Sequence, residues 1–164
     1  MKIKDYKLFL ESKDVITFEF LTNIESICKE YGIKNYSIND DGSIDVDGNV
    51  DLYGYSSLIK LPLKFGKVTG YFNCGHNKLN SLEGSPKFVG GYFSCYDNQL
   101  KTLEGGPKIV MCQYYCINNQ LVNFKGFPED YDDKVSIANN PVYDLIENIP
   151  EEKRNKFMYW CNEY

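Results

Sequence analysis

Cys74, His76 and Asp97 are the residues from which a nucleophile set can be drawn: a thiolate to attack, an imidazole to take its proton and a carboxylate to orient the imidazole. The spacing argues against that chemistry. Cys74 heads a column, Cys74, Cys95, Cys116 and Ile137, whose members lie 21 residues apart and whose last member is aliphatic. A thiol that alternates with isoleucine is filling a core position, where it behaves as a small hydrophobe. A nucleophilic thiol instead needs access and a depressed pKa. Zinc fares no better, because in-register thiols about 4.8 Å apart form a line and not a tetrahedron, and the column holds no histidine. Ser37, Asn39, Asp41, Gly42 and Ile44 imitate the opening of a calcium loop, but Ser37 and Gly48 occupy the first and twelfth positions, where Asp and a bidentate Glu are required. The expectation is a protein with no catalytic residues, no metal ligands and no cofactor, and a hairpin turn around Asp41-Gly42.

The cysteine column exists because the chain repeats. Leu58 to Lys78, Leu79 to Gln99, Leu100 to Gln120 and Leu121 to Pro141 each hold 21 residues and align without a gap. Their other columns are Leu58, Leu79, Leu100, Leu121; Leu61, Leu82, Leu103, Phe124; and Asn77, Asn98, Asn119, Asn140. A fixed period of this size means a solenoid, whose coils each contact only their neighbours. Phe93 and Cys95 alternate inward on a short strand, and Leu100 and Leu103 tuck inward from a turn. Glu83-Gly84-Ser85-Pro86, with its copies at Glu104-Gly105-Gly106-Pro107 and Lys125-Gly126-Phe127-Pro128, predicts turns on the return side and no room for a helix. Each corner asparagine is positioned to bond backbone groups of adjacent coils that have lost ladder partners. The fourth copy departs most, with Tyr131 and Asp133 where the second has Val89 and Gly91.

The flanks differ from the repeats. Thr22 with Glu25 reads as a capping box, and Ile24, Ile27, Cys28 and Tyr31 as one buried helical stripe ended by Gly32. Ile44/Val46 and Val50/Leu52 alternate as strands, with Asp41-Gly42 and Asp47-Gly48 as turns. Gly48 to Leu52 resembles Gly70 to Cys74 and is read as an irregular extra repeat, shifted by one residue. Pro150-Glu151-Glu152 opens a helix carrying Phe157, Trp160, Cys161 and Tyr164, which is expected to cover the open end. The whole is expected to be an α/β repeat of about five 21-residue coils with parallel strands, in a single domain of 164 residues: an N-terminal helix and β-hairpin cap over 1–43, the solenoid over 44–141, and a C-terminal capping helix within 142–164.

A net charge of −5 disfavours a phosphate-backbone binder, so nucleic acid is not an expected partner. The charged start Met1-Lys2-Ile3-Lys4-Asp5 is unlike a signal peptide, and no apolar run approaches the roughly 18 residues of a membrane span. A cytoplasmic protein with reduced thiols and no membrane partner is the expectation.

Written from strand to turn, Phe93-x-Cys95-x-x-Asn98-x-Leu100-x-x-Leu103 resembles the leucine-rich-repeat core, with matching copies beginning at Phe72 and Tyr114. More narrowly, the Leu-Glu-Gly-x-Pro segment, Lys7-Leu8-Phe9-Leu10-Glu11-Ser12 and Cys28-Lys29-Glu30-Tyr31-Gly32-Ile33 resemble short leucine-rich-repeat-like solenoid proteins found in tailed bacteriophage genomes. That resemblance covers roughly residues 24 to 145. It implies a solenoid and a binding surface, carries over no catalytic residue, and points to a phage accessory protein acting on a host protein in the host cytoplasm.

The columns left for function are those that do not repeat faithfully. Outward strand positions are Tyr71 and Asn73, Tyr92 and Ser94, Gln113 and Tyr115, Lys134 and Ser136, with Tyr96 and Ile117 just beyond. Tyrosine mixed with Asn, Ser and Gln is the composition of binding surfaces that gain amphipathic contact area with few rotors to freeze, although strands favour tyrosine in any case. The expected role is a non-enzymatic protein-protein interaction module. Two alternatives stay open: a structural, self-assembling virion-associated protein, and a small-ligand or nucleotide-binding protein with its site near Tyr53, Tyr55 and His76.

Overall fold

A computed structural model describes residues 18–131 and 135–143. It begins with helix α1 (Phe18–Glu30), which buries Ile24 and Cys28 and leaves Ile27 and Tyr31 half-covered. Thr22 and Glu25 stand inside this helix, so the expected capping box is not its start. Its end is as the sequence indicates: Gly32 adopts φ 65°, Ile33 N–H donates to the Cys28 carbonyl at 2.8 Å, and Gly32 N–H donates to Lys29 at 3.3 Å. These are the two bonds of a Schellman cap.

Strands β1 (Tyr36–Ile38) and β2 (Ile44–Val46) form an antiparallel hairpin with Ile38 opposite Ile44. The turn between them uses the residues that imitate a calcium loop, and they bond one another. Asn39 Nδ2 donates to Ser43 Oγ and Asp45 Oδ1, both at 3.0 Å, and Ser43 Oγ donates to Asp41 Oδ1 at 2.6 Å. Lys64 Nζ lies 2.6 Å from Asp41 Oδ2, and these bonds hold the Asp41 carboxyl well below the usual carboxylate range. Asp47-Gly48 does not close a second hairpin. It turns the corner into β3 (Val50–Asp51), which belongs to a different sheet.

From there the chain winds as a solenoid through β4 (Phe65–Val68), β5 (Phe72–Asn73), β6 (Phe88–Val89), β7 (Phe93–Ser94), β8 (Ile109–Val110), β9 (Tyr114–Tyr115), β10 (Asp130–Tyr131) and β11 (Val135–Ser136). Two sheets result. One has the order β1-β2-β4-β6-β8-β10, and the other β11-β9-β7-β5-β3. Apart from the hairpin every pairing is parallel, with Phe72, Phe93, Tyr114 and Val135 in register at intervals of 21 residues. The five strands of the second sheet enclose about four turns, where the sequence suggested about five coils. Val50 pairs with Phe72, an offset of 22, so the first coil carries the one-residue shift read from the sequence.

The return side keeps the expected turns at Glu83-Gly84, Glu104-Gly105 and Lys125-Gly126, and after each it adds a strand of the six-stranded sheet. Phe88-Val89 and Ile109-Val110 are β-formers that follow a proline. Backbone groups in and beside these strands pair with neighbouring coils: Gly90 N–H donates to Val68 at 2.9 Å, Ile109 N–H to Lys87 at 3.2 Å and Met111 N–H to Val89 at 3.0 Å. Little helix occurs within the coils, as expected.

The core lies between the sheets. Phe65, Phe72, Phe93 and Tyr114 are fully buried, and the Phe72 and Phe93 rings stack at 5.7 Å and 7°. The leucine columns and Cys74, Cys95 and Cys116 complete it. No helix among the described residues is long and apolar enough to cross a membrane. The expected C-terminal capping helix, with Phe157, Trp160, Cys161 and Tyr164, lies outside the described residues.

Candidate functional site: a tyrosine-bearing sheet face

Every coil leaves the second sheet through the same corner. His76, Asp97, Asn118 and Asn139 adopt φ of 55°, 55°, 53° and 56°, the left-handed region in which Asn, Asp and His are the favoured non-glycine residues. Each is followed by a corner asparagine turned inward. Asn98 Nδ2 donates to the carbonyls of Cys74, Cys95 and Tyr96 at 3.0, 3.1 and 3.2 Å, and its Oδ1 accepts from Leu79 N–H at 2.8 Å. Asn119 and Asn140 repeat the pattern one and two coils later. The asparagine column is therefore a structural ladder that ties coil to coil. Asn77 is its incomplete first rung. Its Nδ2 finds Leu52, Cys74 and Gly75, but its buried Oδ1 has no partner among the described residues, because Leu58 N–H bonds Tyr55 within the irregular first coil.

The nucleophile set does not assemble. Cys74 points into the core, donates its thiol to the Ser94 carbonyl at 3.3 Å, and is pushed far above the ordinary thiol range by burial. His76 faces the other way, exposed, with Nδ1 2.9 Å from Asp97 Oδ2. Asp97, held below its ordinary pKa first by this bond, also bonds Asn118, whose Oδ1 accepts from Asn139 at 2.7 Å. An exposed polar ladder thus runs beside the buried one. Burial likewise raises the thiols of Cys95 and Cys116, and that of Cys28 to about 11. Cys28, Cys74, Cys95, Cys112 and Cys116 are free thiols.

The tyrosines gather on the outer side of this sheet. Tyr71 and Tyr92 stack at 4.7 Å with ring planes 6° apart, and Tyr115 meets Tyr92 edge-on at 6.0 Å. Burial, then the neighbouring Tyr71, Asp51 and Tyr115, raise the Tyr92 phenol. Tyr96 lies back across the preceding coil because residue 75 is glycine: a Cβ there would stand 2.8 Å from the Tyr96 ring. In that pose Tyr96 reaches Tyr53 at 6.1 Å between centroids, and Tyr53 stacks on His76 at 5.6 Å. Burial, a hydrogen bond with Tyr53 and the Asp97 charge push the Tyr96 phenol up to about 12.

Of the expected face residues, Tyr71, Asn73, Tyr92, Tyr96, Gln113, Tyr115 and Ile117 are half-buried. Asn73 is partly engaged, its Oδ1 accepting from Gly75 N–H at 3.1 Å. Ser94 is a correction. It is only 3% exposed, because a one-carbon side chain in register between Asn73 and Tyr115 is too short to reach past them. Ser136 is buried in the same column, and Lys134 lies outside the described residues. The sequence reading of the face missed Tyr53, which is 48% exposed, and Asp51. Both sit in the first coil, where the 22-residue offset hides their columns; the likeness of Gly48–Leu52 to Gly70–Cys74 was the available signal.

No family model, curated protein or solved structure matches this chain.

Proposed function

We propose that the protein is a non-enzymatic binding module that engages a protein partner through the tyrosine-bearing face of its five-stranded sheet. The observation that carries this reading is the clustering on one face of Tyr53, Tyr71, Tyr92, Tyr96 and Tyr115, linked by ring contacts across successive coils. Half-buried tyrosines held by one another lose little side-chain freedom when a partner covers them, and they offer both apolar area and hydroxyls. The inward thiols, divorced from the only histidine, support a role without catalysis. The resemblance to short phage-encoded leucine-rich-repeat-like proteins supports a host protein as that partner.

The test is a Tyr92→Ala/Tyr115→Ala double variant. It should lose capture of its partner from host lysate while its circular dichroism stays that of the parent chain. Undiminished capture by a folded double variant rules out this face.

A further inference from the structure

Among the described residues of the tyrosine face the carboxylates are Asp51 and Asp97. Asp51 stands on the end strand, exposed, in register with Asn73, and its Oδ1 accepts from Tyr53 N–H at 3.1 Å, which leaves Oδ2 for a partner. Asp97 lies at the corner after the central strand β7, beside Tyr96, with its carboxyl bonded to His76 and Asn118. Among the described residues of the strands and the corner that make this face, the one group able to carry positive charge is His76, and Asp97 already occupies its Nδ1. Lys67, Lys87 and Lys108 belong to the other sheet: Lys67 lies over the Phe88 ring at 5.2 Å, and Lys108 pairs with Glu129 at 2.7 Å. Asp51, bonded to the Tyr53 N–H, also acts on the Tyr92 phenol, so its carboxylate stands among the rings of this face.

We infer that the partner meets this face with an arginine-bearing segment, an inference that rests on the protein-binding reading above. A guanidinium can lie flat on a tyrosine ring while its N–H groups donate to a carboxylate, a combination that an ammonium matches poorly. The acidic chain, with a net charge of −5, steers a cationic segment toward itself, and the two aspartates among the rings fix where it settles.

Asp51→Asn and Asp97→Asn remove each charge and preserve the local structure. An asparagine Oδ1 still accepts from Tyr53 N–H, and the corner column already uses asparagine at 118 and 139 in the same left-handed conformation. Glu129→Gln removes one charge from the opposite sheet and serves as the control. A short labelled peptide alternating arginine with glycine and serine, and its glutamate counterpart, are titrated with each full-length protein by fluorescence anisotropy. The arginine peptide should bind, weaken as salt rises, and lose about three-fold in affinity in each aspartate variant, with Glu129→Gln unchanged. The inference falls if the arginine peptide does not bind, if the glutamate peptide binds as well, or if Glu129→Gln weakens binding as much as Asp51→Asn. A partner whose capture needs Tyr92 and Tyr115 but ignores both aspartates also overturns it, and leaves the protein-binding reading intact. Capture indifferent to the tyrosines removes that reading instead.

Discussion

The corner asparagines and the tyrosines occupy the same sheet a few residues apart, and they repeat in opposite ways. Asn77, Asn98, Asn119 and Asn140 are invariant from coil to coil, whereas the outward columns run Tyr71, Tyr92, Gln113 and Asn73, Ser94, Tyr115. The difference is one of neighbours. A corner asparagine bonds the backbone of its own coil and of the preceding coil, and that backbone has the same shape at every level, so the same side chain is needed each time. An outward residue touches side chains and solvent, which impose no such identity. Repetition therefore marks what the fold requires, and irregularity marks where a surface is free to specialise.

Alkaline pH should strike the inward side hardest. The thiols of Cys28, Cys74, Cys95 and Cys116 are raised in the folded state by burial. Unfolded thiols ionise near pH 8.5, so the stability held by protonated buried thiols is complete below that value. It is lost as pH rises, for Cys28 through about 11. Urea denaturation should show a plateau from neutral pH to about pH 8 and a progressive fall beyond it. A flat profile to pH 11 would remove the thiols from the core side of the comparison.

Asn98→Ala is next, because it strands the Leu79 N–H in the interior and takes one of the two amide donors from each of the Cys74 and Cys95 carbonyls. The expected loss is about 3 kcal/mol, seen as a lower denaturation midpoint. Asn77→Ala should cost visibly less, since its Oδ1 has no partner to lose. Equal losses would break the account of the first rung.

Gly75→Ala tests the tyrosine side. Its Cβ would enter the Tyr96 ring, so Tyr96 should swing off Tyr53 at a cost of about 1 kcal/mol, detected as changed ring shifts in NMR spectra of both tyrosines. Unmoved resonances would show that glycine is not what sets the Tyr96 pose.

The smallest expected effect is a gain. Tyr114 faces the core, packed on Phe93 at 5.0 Å, and its buried hydroxyl has no hydrogen-bond partner among the described residues. Tyr114→Phe should raise stability by up to about 1 kcal/mol in the same denaturation assay. A loss instead would mean that the hydroxyl is satisfied.

The sequence made the 21-residue register legible, and with it the inward cysteines, the asparagine ladder and most of the tyrosine face, because each is a column and columns survive without coordinates. What escaped it depended on contacts between columns. Phe88-Val89 and Ile109-Val110 are two-residue strands after a proline, too short to show alternation, and only stacking of coils makes them a sheet. Ser94 points outward by parity and is buried by the neighbours in register with it. Tyr53 and Asp51 fell out of alignment with the columns they extend through a single extra residue in the first coil.

The ladder also sets how such a molecule changes length. Each complete rung closes using only its own coil and the one before, so duplicating 21 residues between Asn98 and Asn119 would add one layer of about 4.8 Å with every corner bond restored. Removing a coil would close the stack just as cleanly. Length is thus adjustable in whole coils, each of which brings new outward residues without altering the old ones. Asn77, whose carbonyl oxygen goes unanswered, marks the end at which that modular growth begins.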